Sequence, residues 1–306
     1  MGAKLLFFIA KTLVFLKAPF CSIIELVFYD CRVIIEIRVI NVIKIAIIGG
    51  TGVYDPNILK NVRTEELATP YGSVRFNAGE YAGREVAFLP RHGSKHSIPP
   101  HLINYRANIW ALKKLGVEYI IATTAVGSLN IAMKPGDFVL VDQFLDFTKG
   151  RVSTFYEGGE RGVVHVDVTA PYCPALRKTV GEAAGILGIP IHHHGVYVCT
   201  EGPRFETPAE IKMFAQFGGD LVGMTNVPEA VLAREAEICY STVSMVTNYA
   251  AGISEQALTH AEVLETMAAN AEHIKKLIMK SIELIELTSN DCSCTKALTE
   301  YGGFKL

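Results

Sequence analysis

From residue 43 onward, short apolar runs alternate with amphipathic stretches that close on glycine. Ile43-Lys44-Ile45-Ala46-Ile47-Ile48 is β-branched and almost wholly apolar. That is the pattern of a strand buried on both faces. Strand-like segments recur at 85–89, 118–124, 137–142, 194–199, 220–224 and 241–247. Helical periodicity runs from Asn104 to Leu115 and stops at Gly116. Pro174 to Leu187 stops at Gly188, and Pro208 to Phe217 stops at Gly218. Pro228 to Glu237 and the long Ala261 to Leu287 follow. A glycine just past a helix is a stop signal. Strands alternating with helices predict an α/β fold, a single domain with a central mixed β-sheet flanked by helices.

The first 42 residues break this pattern. Their apolar runs are interrupted by Lys4, Lys11, Lys17, Glu25, Asp30, Arg32, Glu36 and Arg38. No stretch reaches the roughly 18 uninterrupted apolar residues of a membrane-spanning helix. Lys11 splits the one region resembling a signal peptide, and no small-residue cleavage site follows. The expected organisation is a non-native-looking hydrophobic extension over 1–42, a domain over 43–290 and a C-terminal tail over 291–306. A translated upstream segment with a native start near Val42 accounts for the extension, and an interfacial anchor is the alternative. A cytoplasmic location is expected. The formal net charge of −2 over 306 residues provides no basic field for nucleic acid. Seven cysteines lack zinc-finger spacing, which suits reduced thiols, although Cys292-Ser293-Cys294 is close enough for a local disulfide.

Candidate chemistry gathers where strands end, which is where open α/β sheets bind ligands. The first strand runs into Gly49-Gly50-Thr51-Gly52. Such a turn exposes backbone N–H groups that can cradle an anion, or it is a tight turn and nothing more. It lacks both the dinucleotide fingerprint and the P-loop ending. Arg91-His92-Gly93, Thr123-Thr124-Ala125-Val126-Gly127-Ser128 and Gly223-Met224-Thr225-Asn226 follow other strands. Together they supply hydroxyls, amides, a guanidinium and an imidazole, a set suited to an oxyanion such as phosphate. A second group, 200–207 with Thr247-Asn248-Tyr249-Ala250, suits a planar ligand. Phe205 can stack on a ring or pack in the core. Glu206 and Asn248 can read a ring edge, or Glu206 can open the next helix. His192-His193-His194 is not expected to bind a metal, because neighbours on a strand point to opposite faces.

These motifs identify the chain as a member of a known family. From about 43 to 287 it resembles the purine nucleoside phosphorylase and methylthioadenosine phosphorylase family. The match runs through Gly-Gly-Thr-Gly at 49–52, Arg-His-Gly at 91–93, Asn-Tyr-Arg-Ala-Asn-Ile-Trp-Ala-Leu at 104–112 and Thr-Thr-Ala-Val-Gly-Ser at 123–128. It continues through Pro-Gly-Asp at 135–137, Glu-Gly-Pro-Arg-Phe-Glu-Thr at 201–207 and Gly-Met-Thr-Asn-Val-Pro-Glu at 223–229. The resemblance implies the nucleoside phosphorylase fold and phosphorolysis of an N-glycosidic bond in a purine nucleoside. It implies phosphate contacts from Thr51, Arg91, His92, Thr124, Ala125 and Thr225. Met224 would lie against the ribose and Phe205 on the purine. Asn248 and His92 are the candidate catalytic residues. Inorganic phosphate is a co-substrate, and no metal or organic cofactor is expected.

The adenine-specific members carry Thr-Asp-Tyr-Asp where this chain has Thr247-Asn248-Tyr249-Ala250. Asn248 can donate to a 6-keto oxygen, and Glu206 can accept from the N1–H that only a 6-oxopurine offers. Adenine would set a lone pair against that carboxylate, a costly buried mismatch. Inosine and guanosine are therefore the expected substrates, with Phe205, Glu206, Met224, Asn248, Ala250 and His260 around them. His260 matches a histidine that meets a 5′-hydroxyl. 5′-Methylthioinosine is the alternative substrate, and a non-catalytic nucleoside-binding protein on the same fold is the alternative class. The resemblance further implies a homotrimer or a hexamer of two trimers. Cys292-Ser293-Cys294 is similar to the disulfide-bonded C-terminal Cys-x-Cys of some thermophilic archaeal members, and Cys173 with Cys239 could form another bridge.

Overall fold

The computed structural model describes residues 22–25, 38–49, 58–93, 97–254, 260–287 and 292–305. The chain divides into two units, Met1–Val42 and Ile43–Leu306. In the first, β1 (Ser22–Glu25) pairs antiparallel with β2 (Arg38–Asn41), Ser22 opposite Asn41.

The second unit is built on β3 (Ile45–Gly49), which is buried at every position. A hairpin follows, β4 (Lys60–Thr69) and β5 (Gly72–Tyr81), then β6 (Arg84–Pro90) and helix α1 (Tyr105–Lys114). Next come β7 (Tyr119–Ser128), β8 (Phe138–Leu140), β9 (Gln143–Phe147) and α2 (Pro174–Leu187). The two-residue β10 (Ile191–His192), β11 (Val196–Thr200), α3 (Pro208–Gln216) and β12 (Leu221–Gly223) precede α4 (Asn226–Glu235). The long strand β13 (Cys239–Tyr249) and helix α5 (His260–Leu284) complete the order.

The main path of the sheet is β10-β8-β13-β7-β3-β6-β5-β4, and β12, β11 and β9 branch from β7. Strands β6, β3, β7 and β13 run parallel, whereas β8 lies antiparallel to β13 (and parallel to β10), β5 antiparallel to β6 and β12 antiparallel to β7. Helix α1 packs with α4, and α2 packs with α5. Two apolar layers result, one including Trp110, Leu112 and Leu232 and the other including Leu176, Leu277 and Ile282. The sheet between them is apolar on both faces, which explains the uninterrupted hydrophobic runs.

Local signals set the ends of these elements. The Asn104 side chain accepts from Ala107 N at the start of α1, and Pro174 occupies the first turn of α2. Gly188 adopts the left-handed conformation that closes α2. Thr207 and Glu210 form a capping box at α3. One irregularity matters for the site. In the β13–β7 pair Val246 faces Val126, but Asn248 faces Gly127, so Thr247 is an extra residue bulged out of the ladder.

The expected strands and helices are present with shifted ends, but β4, β5, β9 and β10 were not expected. β4 is mostly exposed, so its sequence is polar and lacks the apolar run of a buried strand. Two of the three consecutive histidines have separate carboxylate partners. His192 Nε2 lies 2.9 Å from Asp137 Oδ2, and His194 Nδ1 lies 2.8 Å from Asp142 Oδ2. The tail folds back onto the unit, with Leu298 fully buried and Phe304 edge-on to Phe155. There Cys173, Cys239, Cys292 and Cys294 are free thiols whose sulfurs all lie within 4.8 Å of one another. Linear spacing does not reveal this cluster, and Cys239 sits 3.4 Å from Cys292 rather than bonded to Cys173. Among the described residues, no helix is long and apolar enough to cross a membrane.

Candidate active site

The ends of β6, β7, β12 and β13 surround one cavity of about 400 Å³. Arg91, His92, Thr124, Ala125, Phe205, Glu206, Met224, Thr225, Asn248 and Ala250 all line it. Thr51 lies outside the described residues, as does the side chain of His260, whose backbone opens α5. Gly49, the last residue of β3 and the first of the glycine run, accepts from Arg91 N at 3.1 Å.

Arg91 is held from below. Its Nε and Nη2 donate to the two Glu229 carboxylate oxygens at 2.8 and 2.7 Å, and Nη1 donates to Thr123 O at 2.8 Å. Both partners of the ion pair are 1% exposed, so neither charge is tolerable without the other. Burial pushes the guanidinium pKa down, but the charge and hydrogen bonds of Glu229 more than offset it, and Arg91 stays protonated. Three of its five N–H groups are used, leaving one on each terminal nitrogen. Tyr240 Oη also donates to Glu229 at 2.7 Å.

His92 Nδ1 lies 2.8 Å from Ile98 O. A carbonyl only accepts, so the proton sits on Nδ1 and, in the neutral ring, Nε2 is an acceptor. Thr124 Oγ1 shares a 2.8 Å hydrogen bond with Ser244 Oγ beneath it. Thr225 precedes α4 without capping it through its side chain, and its N–H donates to Tyr197 Oη at 3.3 Å. Hydroxyls and a cation thus converge on one end of the cavity, an arrangement able to hold an oxyanion.

The other end is more open. Phe205 is 48% exposed on the rim, so it is not core packing. Glu206 does not cap α3, because Thr207 does; its Oε1 instead accepts from Thr200 Oγ1 at 2.7 Å. Burial pushes the Glu206 pKa above the ordinary carboxylate range, and the Thr200 hydrogen bond pulls it partly back. Asn248 Oδ1 accepts from Thr247 Oγ1, and Nδ2 donates to Tyr249 O, both at 2.8 Å. One amide N–H and one lone pair remain for a ring edge. A Cβ on Gly127 would come within 3.1 Å of Asn248 Nδ2, so this glycine makes room for the amide.

Reasoning from sequence missed Glu229, Ser244 and Gly127 as supports, although Gly127 and Glu229 both lie inside quoted motifs. For Glu229 a signal existed, since it borders the apolar run Ala230-Val231-Leu232-Ala233, and a carboxylate buried with such a run demands a partner.

Comparison with known proteins agrees with this geometry. Residues 44–283 match the phosphorylase superfamily. The chain is 59% identical over 254 residues to the probable 6-oxopurine nucleoside phosphorylase of Moorella thermoacetica, covering 83% of this chain and 97% of that one. It is 58% identical over 260 residues to the 6-oxopurine nucleoside phosphorylase of Pyrococcus furiosus, again covering 83% and 97%. The solved methylthioadenosine phosphorylase of Schistosoma mansoni in complex with adenine superposes with a TM-score of 0.80 at 35% identity, covering 86% of this chain and all of that one. The chain therefore belongs to the phosphorylase superfamily, within its purine nucleoside and methylthioadenosine phosphorylase family.

Proposed function

We propose that this protein is a 6-oxopurine nucleoside phosphorylase, converting inosine or guanosine and phosphate into free base and ribose 1-phosphate in purine salvage. Phosphate occupies the end formed by Arg91, His92, Thr124, Ala125 and Thr225, with Thr51 beside it. Its oxygen bonds to C1′ as the C1′–N9 bond breaks, and the electron pair leaves on the purine. The ribosyl group passes through a cationic state, for which bound phosphate is both nucleophile and counter-charge. His92 Nε2, as an acceptor, can take a hydrogen bond from a protonated phosphate oxygen. Met224 lies under the sugar, His260 meets the 5′-hydroxyl and Phe205 covers the base.

One observation carries the choice of base. Glu206 and Asn248 line the same cavity as the oxyanion donors, with Ala250 in place of a second acid. The Glu206 carboxylate accepts from N1–H, and the remaining Asn248 N–H serves O6 or N7, where leaving-group charge builds. Side-by-side phosphate-dependent cleavage of inosine, guanosine, adenosine and 5′-methylthioinosine tests the reading, and adenosine as the best substrate overturns it. Apolar Val263 and Met224 in the lining favour 5′-methylthioinosine as the second reading.

The active form is a homotrimer or a dimer of trimers in the cytoplasm, tested by light scattering on the purified protein. Residues 43–290 make up the catalytic domain and 1–42 stand outside it. A chain starting at Val42 is expected to keep the kcat and KM of the full chain.

A further inference from the structure

Arg151 has no part in the chemistry described so far, yet it touches more of the cavity's supports than any residue discussed above. Its side chain is 3% exposed. Nη1 donates to Met224 O at 2.6 Å, Val227 O at 3.1 Å and Tyr105 Oη at 3.2 Å. Nη2 donates to Glu201 O at 2.7 Å and Thr200 O at 3.1 Å. Its Nε lies 3.5 Å from Glu201 Oε2, an ion-pair contact without hydrogen-bond geometry.

The acceptors explain the need. Strand β11 ends at Thr200 and β12 at Gly223, so the carbonyls of 200, 201, 224 and 227 lie at or beyond the ends of those strands. Buried carbonyls need donors. A guanidinium presents a rigid planar fork that can serve two segments at once, whereas an ammonium is a point with three donors. One segment carries Phe205 and Glu206, and the other carries Met224 and Thr225. Tyr105 Oη, a third acceptor, donates in turn to Pro100 O at 2.9 Å, on the far lip of the cavity.

The arginine is itself held in place. On its own loop, Thr154 Oγ1 and Phe155 N donate to the two oxygens of buried Glu235 at 2.7 and 2.8 Å. Phe155 is 2% exposed in the core. The fork therefore reaches the strand ends from a fixed base.

We propose that Arg151 is a positioning residue for nucleoside recognition: it clamps the 200–201 and 224–227 backbone so that Phe205, Glu206 and Met224 face one bound nucleoside. This rests on the proposed function for the identity of the ligand. Of the phosphate-end groups only Thr225 rides on the clamped backbone, whereas Arg91, His92 and Thr124 are braced separately, so the clamp acts more on the nucleoside than on phosphate.

The test uses the full chain with Arg151→Lys, which keeps the charge and loses the fork, and Arg151→Met, which loses both. Steady-state KM for inosine and for phosphate is measured well below each variant's melting temperature, where destabilisation alone lowers neither affinity. The expected result is an inosine KM raised about tenfold in both variants, the scale of one lost charge-assisted hydrogen bond, with the phosphate KM raised only about twofold to threefold through Thr225. Hypoxanthine affinity by calorimetry should fall by a similar factor, a readout independent of turnover. Tyr105→Phe, which removes one acceptor oxygen and keeps the ring, gives a milder variant for which the inosine KM should rise about threefold. Unchanged inosine KM and hypoxanthine affinity in folded variants overturn the proposal, as does an equal rise in both KM values. Absence of inosine cleavage by the unsubstituted protein overturns the proposed function instead, and the hypoxanthine measurement then decides the clamp by itself.

Discussion

The two ends of the cavity are built differently. At the Arg91 end every described polar group rests on a second one: Arg91 on Glu229, Glu229 on Tyr240, Thr124 on Ser244, His92 on Ile98 O. These groups are nearly all buried: Thr124, Ser244 and Tyr240 sit on strands, Glu229 in the first turn of α4, and Arg91 and His92 on the turn directly after β6. At the Phe205 end the aromatic ring is half exposed, and Glu206 and Phe205 ride on the loop between β11 and α3. Under the function proposed above, the co-substrate that never varies takes the braced end. A base that differs between relatives is served by a loop, where one substitution alters recognition without disturbing the core.

The largest expected effect tests the rigid end. Arg91→Met should lower kcat/KM for phosphate by on the order of 10²–10³. Glu229→Gln leaves the buried guanidinium without its counter-charge, so it should reduce phosphate use and destabilise the fold by about 3–5 kcal/mol, read by denaturant melting. If Glu229→Gln changed neither, the dense bonding at this end would be incidental.

Next is the reader of the base. Asn248→Asp should reduce inosine cleavage about tenfold to a hundredfold and shift preference toward 6-aminopurine nucleosides. An unchanged preference would move base recognition away from Asn248.

The pH dependence is smaller and specific to the open end. Burial holds the Glu206 pKa above the ordinary carboxylate value. As pH falls through that raised pKa, the carboxyl gains a proton and loses its acceptor for N1–H. The inosine KM should therefore rise on acidification, starting at a higher pH than for an ordinary glutamate. Glu206→Gln should abolish this step while raising KM at neutral pH. Survival of the step in that variant would assign it to another group.

The smallest effect is at the rim. Phe205→Ala should raise the inosine KM only about threefold to tenfold, because a half-exposed ring loses little burial on truncation. A loss as large as that of Arg91→Met would mean the open end is far more tightly organised than its exposure suggests.

Legibility in the sequence follows the same division. Buried parallel strands announce themselves as β-branched runs, and the motifs at their ends mark the cavity. The β4–β5 hairpin was harder to read, since β4 is almost entirely solvated and in β5 only Val74, Phe76, Ala78 and Gly79 are buried. Among the site residues, Arg91 and Asn248 stand in recognisable motifs. Glu229 was detectable as an acid in a buried helix. Arg151 was not, because its partners are mainly backbone carbonyls and a carbonyl leaves no trace in sequence. The four-cysteine cluster was hidden because its members come from three separate stretches of chain.

The bulge at Thr247 gives β13 something like a reading frame. An uninterrupted strand has two phases, and each residue belongs to one face or the other. One extra residue switches the phase, so Asn248 meets Gly127 and reaches the cavity while Val246 stays in the ladder opposite Val126. The hydroxyl of the extra residue also holds the Asn248 amide. Substitution at 248 can therefore rewrite which purine is accepted while the frame stays intact. Loss or gain of a single residue here would swing the next side chain to the wrong face and silence the whole set at once. The length of this strand is therefore as much a part of the site as its side chains.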